Sequence, residues 1–552
     1  MSGLKIGLIV DGEKVSRHVL ELAQWAKSTG NVCISHLIIQ ARPAASAKRR
    51  GLLAKAFGKG PAAHAAVMLW KTKTKLESRS LARMKAYRGH NDSCEVGDLV
   101  PGRIRVTPLV SKSGFVHRFS EEDIETIRRE GFDVLIRCGS GILRGPILTS
   151  ARLGILSFHH GDNRINRGGP AGFWEVFHRQ EKTGFIVQRL TEELDGGDVI
   201  LRGYIPTQRT HLLNAAMLFA KSWQALRSLL LEIARTGELP PAEPHYPYSG
   251  KLFVQPGLGE LTSYMLRQAG QSARARARRA LRYQERWGIY YAPADWRHAV
   301  FWRGIRVKNP PGHFLADPFV ATRAGRTCIF AEDFDYRTSR AHISVFELTE
   351  QGAQPLGIAL KENFHLSFPY LFEADGRLFM CPESREAKQI RIYECTEFPL
   401  QWKLAVVAMK DVEAVDSMIF RKEDLWWLMT NISRTEPHEC GSELHLFWSR
   451  SPLTDEWMPH ARNPIVADPQ MARNGGLLNG GADLFRVAQN RQFGSYGSSA
   501  RLFQIMHIDP KHYTEQLVST IVPSFAPGIS GTHHLHSNGK YSVWDFKKWE
   551  RV

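Results

Sequence analysis

From about residue 287 onward the chain repeats one plan five times, and a sequence that does so is confined to few folds. The segments FLADPFVATRAGRTCIFAED, SFPYLFEADGRLFMCPES, VDSMIFRKEDLWWLMTN, GGADLFRVAQNRQFGSYG and GTHHLHSNGKYSVWD each open on small or polar residues. A short apolar strand, a turn and an aromatic strand then follow. With Asp317, Pro369, Asp416, Asp483 and His533 as markers, the steps are 52, 47, 67 and 50 residues. One unit of this kind cannot bury its own apolar face, whereas a ring of neighbours can. A period near 50 with several strands per unit therefore predicts propeller blades, five in number. A β-sandwich is the rival, and it does not require the recurrence.

The first 236 residues follow another rhythm. Lys5 to Val10 is a short β-branched run, Glu13 to Ser28 has helical spacing, and Val32 to Gln40 is a second apolar run. Strand, helix, strand predicts an α/β domain with a mostly parallel, Rossmann-like sheet. Further strands are expected at Phe132 to Cys138, Leu153 to His159 and Gly184 to Gln188. Helices are expected at Ser120 to Glu130, where Ser120 caps the start, and at Arg209 to Thr236. Residues 41–100 break the pattern as a basic, Ala-rich insertion. Residues 237–286, which open with five prolines by 258, are expected to be a linker followed by an Arg-rich helix. The all-β half then spans 287–552.

At 552 residues and 43% hydrophobic content, the chain is globular and too long for a single core. The apolar stretch from Leu212 to Ala234 is broken by Lys221, Arg227 and Glu232, so no spanning helix is expected. The start, MSGLKIGLIVDG, is a first strand in character and unlike a secretory signal. Seven cysteines without metal-type spacing fit reduced thiols of a cytoplasmic protein.

The net charge of +18 is concentrated. Residues 42–89 hold thirteen Lys or Arg against one Glu, and residues 264–286 hold seven Arg against one Glu, which together account for the whole excess. Local cationic segments suit phosphate-bearing partners, with peripheral contact to an anionic membrane ranked above nucleic acid. Solvated surface is the alternative.

Residues 131–201 carry a strand, a Gly loop, the strand end Ser157-Phe158-His159, then Arg167-Gly168, Thr183-Gly184 and Asp195-Gly196-Gly197-Asp198. Order and separation resemble the formyltransferase family, which acts on methionyl-tRNA, glycinamide ribonucleotide or amino-sugars. The resemblance implies transfer of a formyl group from 10-formyltetrahydrofolate to an amine. It implies His159 as the proton-handling histidine and Asp195 as the carboxylate that sets its ionisation. Ser157 stands where the family has an oxyanion-donating asparagine, a loss that typically costs about 10² to 10³ in rate. A slower transferase, altered geometry through His160 or Asn163, and a silent domain all remain open. Cys138, Gly139, Ser140, Gly141, Ile142 and Leu143 occupy the family's pterin-contacting position. His160, Asn163, Arg164 and Arg167 are candidates for holding the acceptor.

The second half, on LADPFV, AEDFDYR and LSFPYLFEADGRLFMCPES, resembles the propeller beside the transferase domain of plant glucosamine inositolphosphorylceramide transferases. Its expected fold is also similar to furanosidase-type glycoside hydrolases. This implies that Asp317, Asp416, Asp483 and His533 or His534 converge on a central channel and bind saccharide. A glycosidase also needs an acid, and no glutamate stands at Gly480-Gly481-Ala482-Asp483, which leaves Glu383 as a substitute. Recognition therefore ranks above hydrolysis. Trp426, Trp427 and Trp544 suit either a sugar or the core. The leading expectation is formyl transfer to an amino-sugar or glycoconjugate with the propeller holding the saccharide. Its alternatives are a glycan- or glycolipid-binding protein with a silent transferase domain, and a propeller glycosidase.

Overall fold

A computed structural model describes residues 3–41, 60–112, 114–193, 196–432 and 440–551. Two compact units emerge, Met1–Gly270 and Gln271–Arg434 with His438–Val552.

The first unit is built on one sheet. Its strands are β1 (Leu4–Val10), β2 (Val32–Gln40), β3 (Gly102–Val106), β4 (Val134–Arg137), β5 (Ile155–His159), β6 (Lys182–Arg189) and β7 (Asp198–Pro206). They lie in the order β7-β6-β5-β4-β1-β2-β3. Pairing is parallel from β5 through β3, while β6 and β7 run antiparallel at one edge. Alternation along the strands sorts side chains to two faces. Leu8, Leu37, Val134 and Ile136 meet α1 (Arg17–Thr29) and α5 (His211–Thr236), through Val19, Leu22, Leu226 and Leu230. Ile9, Ile38 and Leu135 meet Ile124 and Ile127 of α3 (Glu121–Arg129). Ser120 caps α3, its Oγ accepting from the Asp123 N–H at 3.2 Å.

The basic insertion contains α2 (Pro61–Leu81). Its inner face is fastened by Lys73, which is fully buried in a cage of Trp70, Phe173, Tyr264, His211 and Glu77. Phe173 belongs to the short helix α4 (Phe173–His178) and Tyr264 to α6 (Leu258–Ala280). Residues 237–257, expected as a linker, instead fold onto this unit. Glu243 N–H donates to Val199 O at 2.8 Å, and Leu252–Phe253 pairs with Arg167–Gly168. The prolines fix an extended path, but Glu243 supplies a carboxylate for Arg202 and Arg164, and that attraction pins the segment down. The division between units falls inside α6 and not at 287.

The second unit is all-β. Four consecutive four-stranded antiparallel sheets occupy 313–360, 367–410, 414–459 and 474–521. A further sheet places β8 (Tyr283–Ala292) between Ile305–Val307 and Ser542–Arg551, with Ile529–Gly531 and Leu535–Ser537 also on that last strand. The first strands of the four sheets are β9 (His313–Arg323), β10 (Ser367–Ala374), β11 (Ala414–Lys422) and β12 (Asn474–Asn479). Each breaks register at the same place, after Ala316, Ser367, Val415 and Asn474. Asp317, Phe368 and Asp416 take positive φ of 47°, 45° and 49° there, and Gly476 takes 129°. A bulge at each position re-aims the side chain. β13 (Ser495–Ile508), β14 (Tyr513–Ile521) and β15 (Ser542–Arg551) complete the strands used below.

No helix among the described residues is long and apolar enough to cross a membrane. All seven cysteines are free.

Candidate functional sites

In the first unit, His159 sits where β5 ends, at the carboxyl end of the parallel strands, the usual ligand side of such sheets. Its Nε2 lies 3.0 Å from Asn166 O. A neutral imidazole donating there leaves Nδ1 free to accept a proton. Ser157 is buried, and its hydroxyl accepts from Arg137 Nη1 at 3.1 Å. The serine thus serves the neighbouring strand. Asp195 lies outside the described residues.

His160 packs flat on Phe219 with ring centroids 3.9 Å apart and meets Ser222 Oγ at 3.0 Å. Burial first, then the neighbouring His159, His18 and His90, pushes it down to about 3, so it stays neutral. His160 thus sits in an aromatic packing environment. Asn163 accepts from Arg202 Nη2 at 2.9 Å. Arg164 pairs with Glu243 at 2.8 Å and lies over Tyr246, and Arg167 lies over Tyr248 at 4.4 Å. These groups line a cavity of about 70 Å³ together with Gly196, Gly197 and His245. It has room for a compact group or two waters.

The loop at Cys138–Leu143 stands at the position where the resemblance implies a pterin contact. Ser140 N–H donates to both Asp11 carboxylate oxygens at 2.9 and 3.0 Å, and Ser140 O accepts from Gln40 Nε2 at 3.2 Å. Cys138 N–H goes to Ile9 O and Ile142 N–H to Phe115 O, and Ile142–Leu143 pairs with Val116–His117. A Cβ on Gly139 would meet Asp11 Oδ1 at 2.7 Å, and on Gly141, at φ 84°, the His117 ring at 2.3 Å. Both glycines are thus required by the chain's own side chains. Burial pushes the Cys138 thiol up to about 12, so it carries no thiolate. The loop's Ser140 N–H and O are thus taken up by Asp11 and Gln40.

The second unit gathers a larger set. Asp317 and Asp416, on the matching bulges of β9 and β11, are buried. Arg473 Nε meets Asp416 Oδ2 at 2.5 Å and Gln489 Nε2 meets the same oxygen at 3.1 Å. Arg473 also reaches Glu383 at 3.9 Å and lies over Tyr496 at 4.8 Å. His365 is 3.5 Å from Glu332. His533 stacks on Trp287 at 4.1 Å, contacts Asp545, and lies 3.9 Å from Asp317 Oδ1, with His534 at 3.8 Å. Asp317 Oδ1 and both ring nitrogens of His534 are buried without a hydrogen-bond partner.

These groups oppose one another electrostatically. Burial, then Glu332, Asp416 and Asp545, hold the Asp317 carboxyl far above the usual range despite Arg473. Burial, then Asp416, pushes Glu383 up to about 7. Burial also pushes His534 down to about 3. Burial lowers His365, but Glu332 outweighs it and the net shift is upward. A carboxyl that keeps its proton near neutrality beside an arginine-paired carboxylate can donate to a hydroxyl or ether oxygen while its neighbour accepts. Arg473, Glu383 and His365 have side chains 16%, 12% and 26% exposed.

Asp483 is elsewhere. It is exposed in the hairpin turn between β12 and the following strand, where Gly480 N–H donates to its carbonyl. The Gly-Gly-Ala-Asp run makes that turn, so the fourth sheet opens at Asn474 instead. Asn474 holds the backbone, donating to Asp416 O at 2.9 Å. Trp427 and Trp544 are core. Arg473, Gln489, Tyr496 and Asp545 escaped sequence reasoning, though the asparagine-glycine opening at 474 marks where Arg473 stands.

A family model described as "Glucosamine inositolphosphorylceramide transferase 1, N-terminal" matches residues 303–530. Curated relatives of that name from Oryza sativa subsp. japonica and Arabidopsis thaliana are 35% identical over 210 residues and 36% identical over 212. Each match covers 37% of this chain but 28% and 27% of the relative, so the chain spans about a quarter of their length. Among solved structures, glycinamide ribonucleotide transformylase 1 from Symbiobacterium toebii aligns at TM-score 0.24 and 17% identity, covering 43% of this chain and 84% of that one. The catalytic domain of a Coprinopsis cinerea GH62 alpha-L-arabinofuranosidase aligns at 0.33 and 11%, covering 48% and 96%. Both likenesses are distant.

Proposed function

We propose that the chain recognises the saccharide headgroup of a glycolipid or related glycoconjugate through the Asp317 cluster, and that the five sheets of the second unit are blades of a propeller around it. The observation that carries this reading is Asp317 Oδ1, buried without a hydrogen-bond partner on a residue at positive φ, with Glu332, Asp416 and Arg473 around it. Desolvated polar groups without partners are costly, and sugar hydroxyls supply donor and acceptor together. The printed name of the matched relatives supports a sugar and lipid setting. Exposed Lys71, Lys75 and Arg79 on α2, beside exposed Met68 and Leu76, support peripheral contact with an anionic lipid surface. The exposed arginines 274, 276, 278 and 279 of α6 support the same contact.

The test is calorimetric titration of the full chain with glucosamine, inositol phosphate and glucosaminyl-inositol headgroups. Saturable binding that Asp317→Asn reduces at least tenfold, with unchanged circular dichroism, upholds the reading. Equal binding by that variant, or none by the native chain, overturns it.

A second reading, formyl transfer to an amino-sugar in the cytoplasm, is favoured by one observation. His159 stands at the carboxyl end of β5 with Nε2 engaged and Nδ1 free to take an amine proton. Titration with reduced pterins, followed by formyl turnover in native and His159→Ala chains, decides this reading. Tight pterin binding with His159-dependent turnover would establish it, and the absence of both would remove it.

A further inference from the structure

The hairpin joining β13 to β14 carries three metal-type donors within six residues. Asp509 Oδ1 is occupied by the backbone, accepting from Lys511 N–H at 2.7 Å and His512 N–H at 2.8 Å. Its Oδ2 is thereby aimed outward, where His507 Nε2 lies at 2.7 Å and His512 Nδ1 at 3.2 Å. The donor atoms all lie within 4.8 Å of one another.

The turn itself is fixed. Asp509 N–H donates to His512 O at 2.9 Å, Pro510 presets its backbone, and Ala461 N–H anchors Pro510 O at 3.1 Å. Beneath it, buried His460 accepts from Arg462 N–H at 3.1 Å and holds the neighbouring segment. The three ligands therefore need no backbone change to converge.

We propose that His507, Asp509 and His512 form a binding site for a divalent transition-metal ion of the zinc, nickel or copper class. Two imidazoles and one carboxylate suit such ions, whose ligand distances of about 2.0–2.2 Å are met by small side-chain rotations. The imidazoles at present share one carboxylate oxygen, and a cation between them replaces that contact with three bonds. Both histidines are 55% exposed, so the remaining coordination positions face water or a donor from another molecule. Hard oxygen-seeking ions such as Ca²⁺ or Mg²⁺ are disfavoured by the two nitrogen ligands.

The experiment adds Zn²⁺ and Cu²⁺ to the metal-free full-length chain, with calorimetry for the first and electron paramagnetic resonance for the second. The expected result is one equivalent of tighter sites and a copper spectrum showing two nitrogen ligands. His507→Ala and His512→Ala should each weaken that site at least tenfold and each remove one nitrogen from the spectrum. Asp509→Asn, which preserves the turn bonds, should weaken binding while keeping both nitrogens. Identical titrations and spectra for native protein and the His507→Ala/His512→Ala double variant would overturn the proposal and assign the bound metal to other groups.

Discussion

The loop at 138–143 in the first unit and the cluster around Asp317 in the second treat their polar groups in opposite ways. In the loop, Ser140 is served by Asp11 and Gln40, and the glycines admit those side chains. In the cluster, carboxylates crowd Arg473, and Asp317 Oδ1 and both ring nitrogens of His534 are among the buried atoms without a hydrogen-bond partner. A motif position is no guide to ligand binding if its hydrogen bonds are already spent. Unsatisfied groups on bulged strands point to the region still able to gain from a ligand.

The largest expected effect lies in the guanidinium of Arg473. Arg473→Met strips the counter-charge from Asp416 and Glu383 and should cost about 3–5 kcal/mol, read from urea unfolding. Adding Asp416→Asn should restore more than half of that loss. No loss on Arg473→Met would mean that the cluster is far wetter than its burial implies.

Next comes pH. Glu383 is raised from 4.5 to about 7 in the fold, so its contribution is complete below pH 4.5 and lost as pH rises through 7. Amide exchange across 377–383 and 414–422, corrected for intrinsic rates, should therefore slow between pH 8 and pH 5.5. The full shift is worth up to about 3 kcal/mol. Glu383→Gln should flatten this dependence, and a slope unchanged in that variant would assign it to another group.

The smallest effect lies in the loop. Asp11→Asn weakens two exposed hydrogen bonds to Ser140 and should cost about 0.5–1 kcal/mol, without altering saccharide affinity. A large drop in pterin or saccharide binding would reverse the contrast drawn between the two regions.

Local signals were legible in the sequence. Val32–Gln40 is the strand its apolar run predicts, and Ser120 caps its helix. Asp317, Asp416 and His533 are brought together, because equivalent positions in a repeat meet when the repeats pack. Asp483 misled because a glycine-rich hairpin turn and a glycine-rich strand opening are written in the same residues. The Arg473–Asp416 pair spans 57 positions, and no spacing rule reaches that far. The 237–257 segment looked like a tether because of its five prolines, while its docking rests on the Glu243 carboxylate and on backbone pairing at 252–253, neither of which a composition records.

One pairing governs the order in which this molecule can be assembled. β8 joins β15 across most of the second unit, with Ser542 Oγ donating to Ala294 O at 2.7 Å over a separation of 248 residues. Contacts so remote along the chain form late. During synthesis, β8 leaves the ribosome long before its mate exists, and Asp545, which contacts His533, arrives on that final strand. Until β15 is made, the edge of β8 that will receive it stays unpaired.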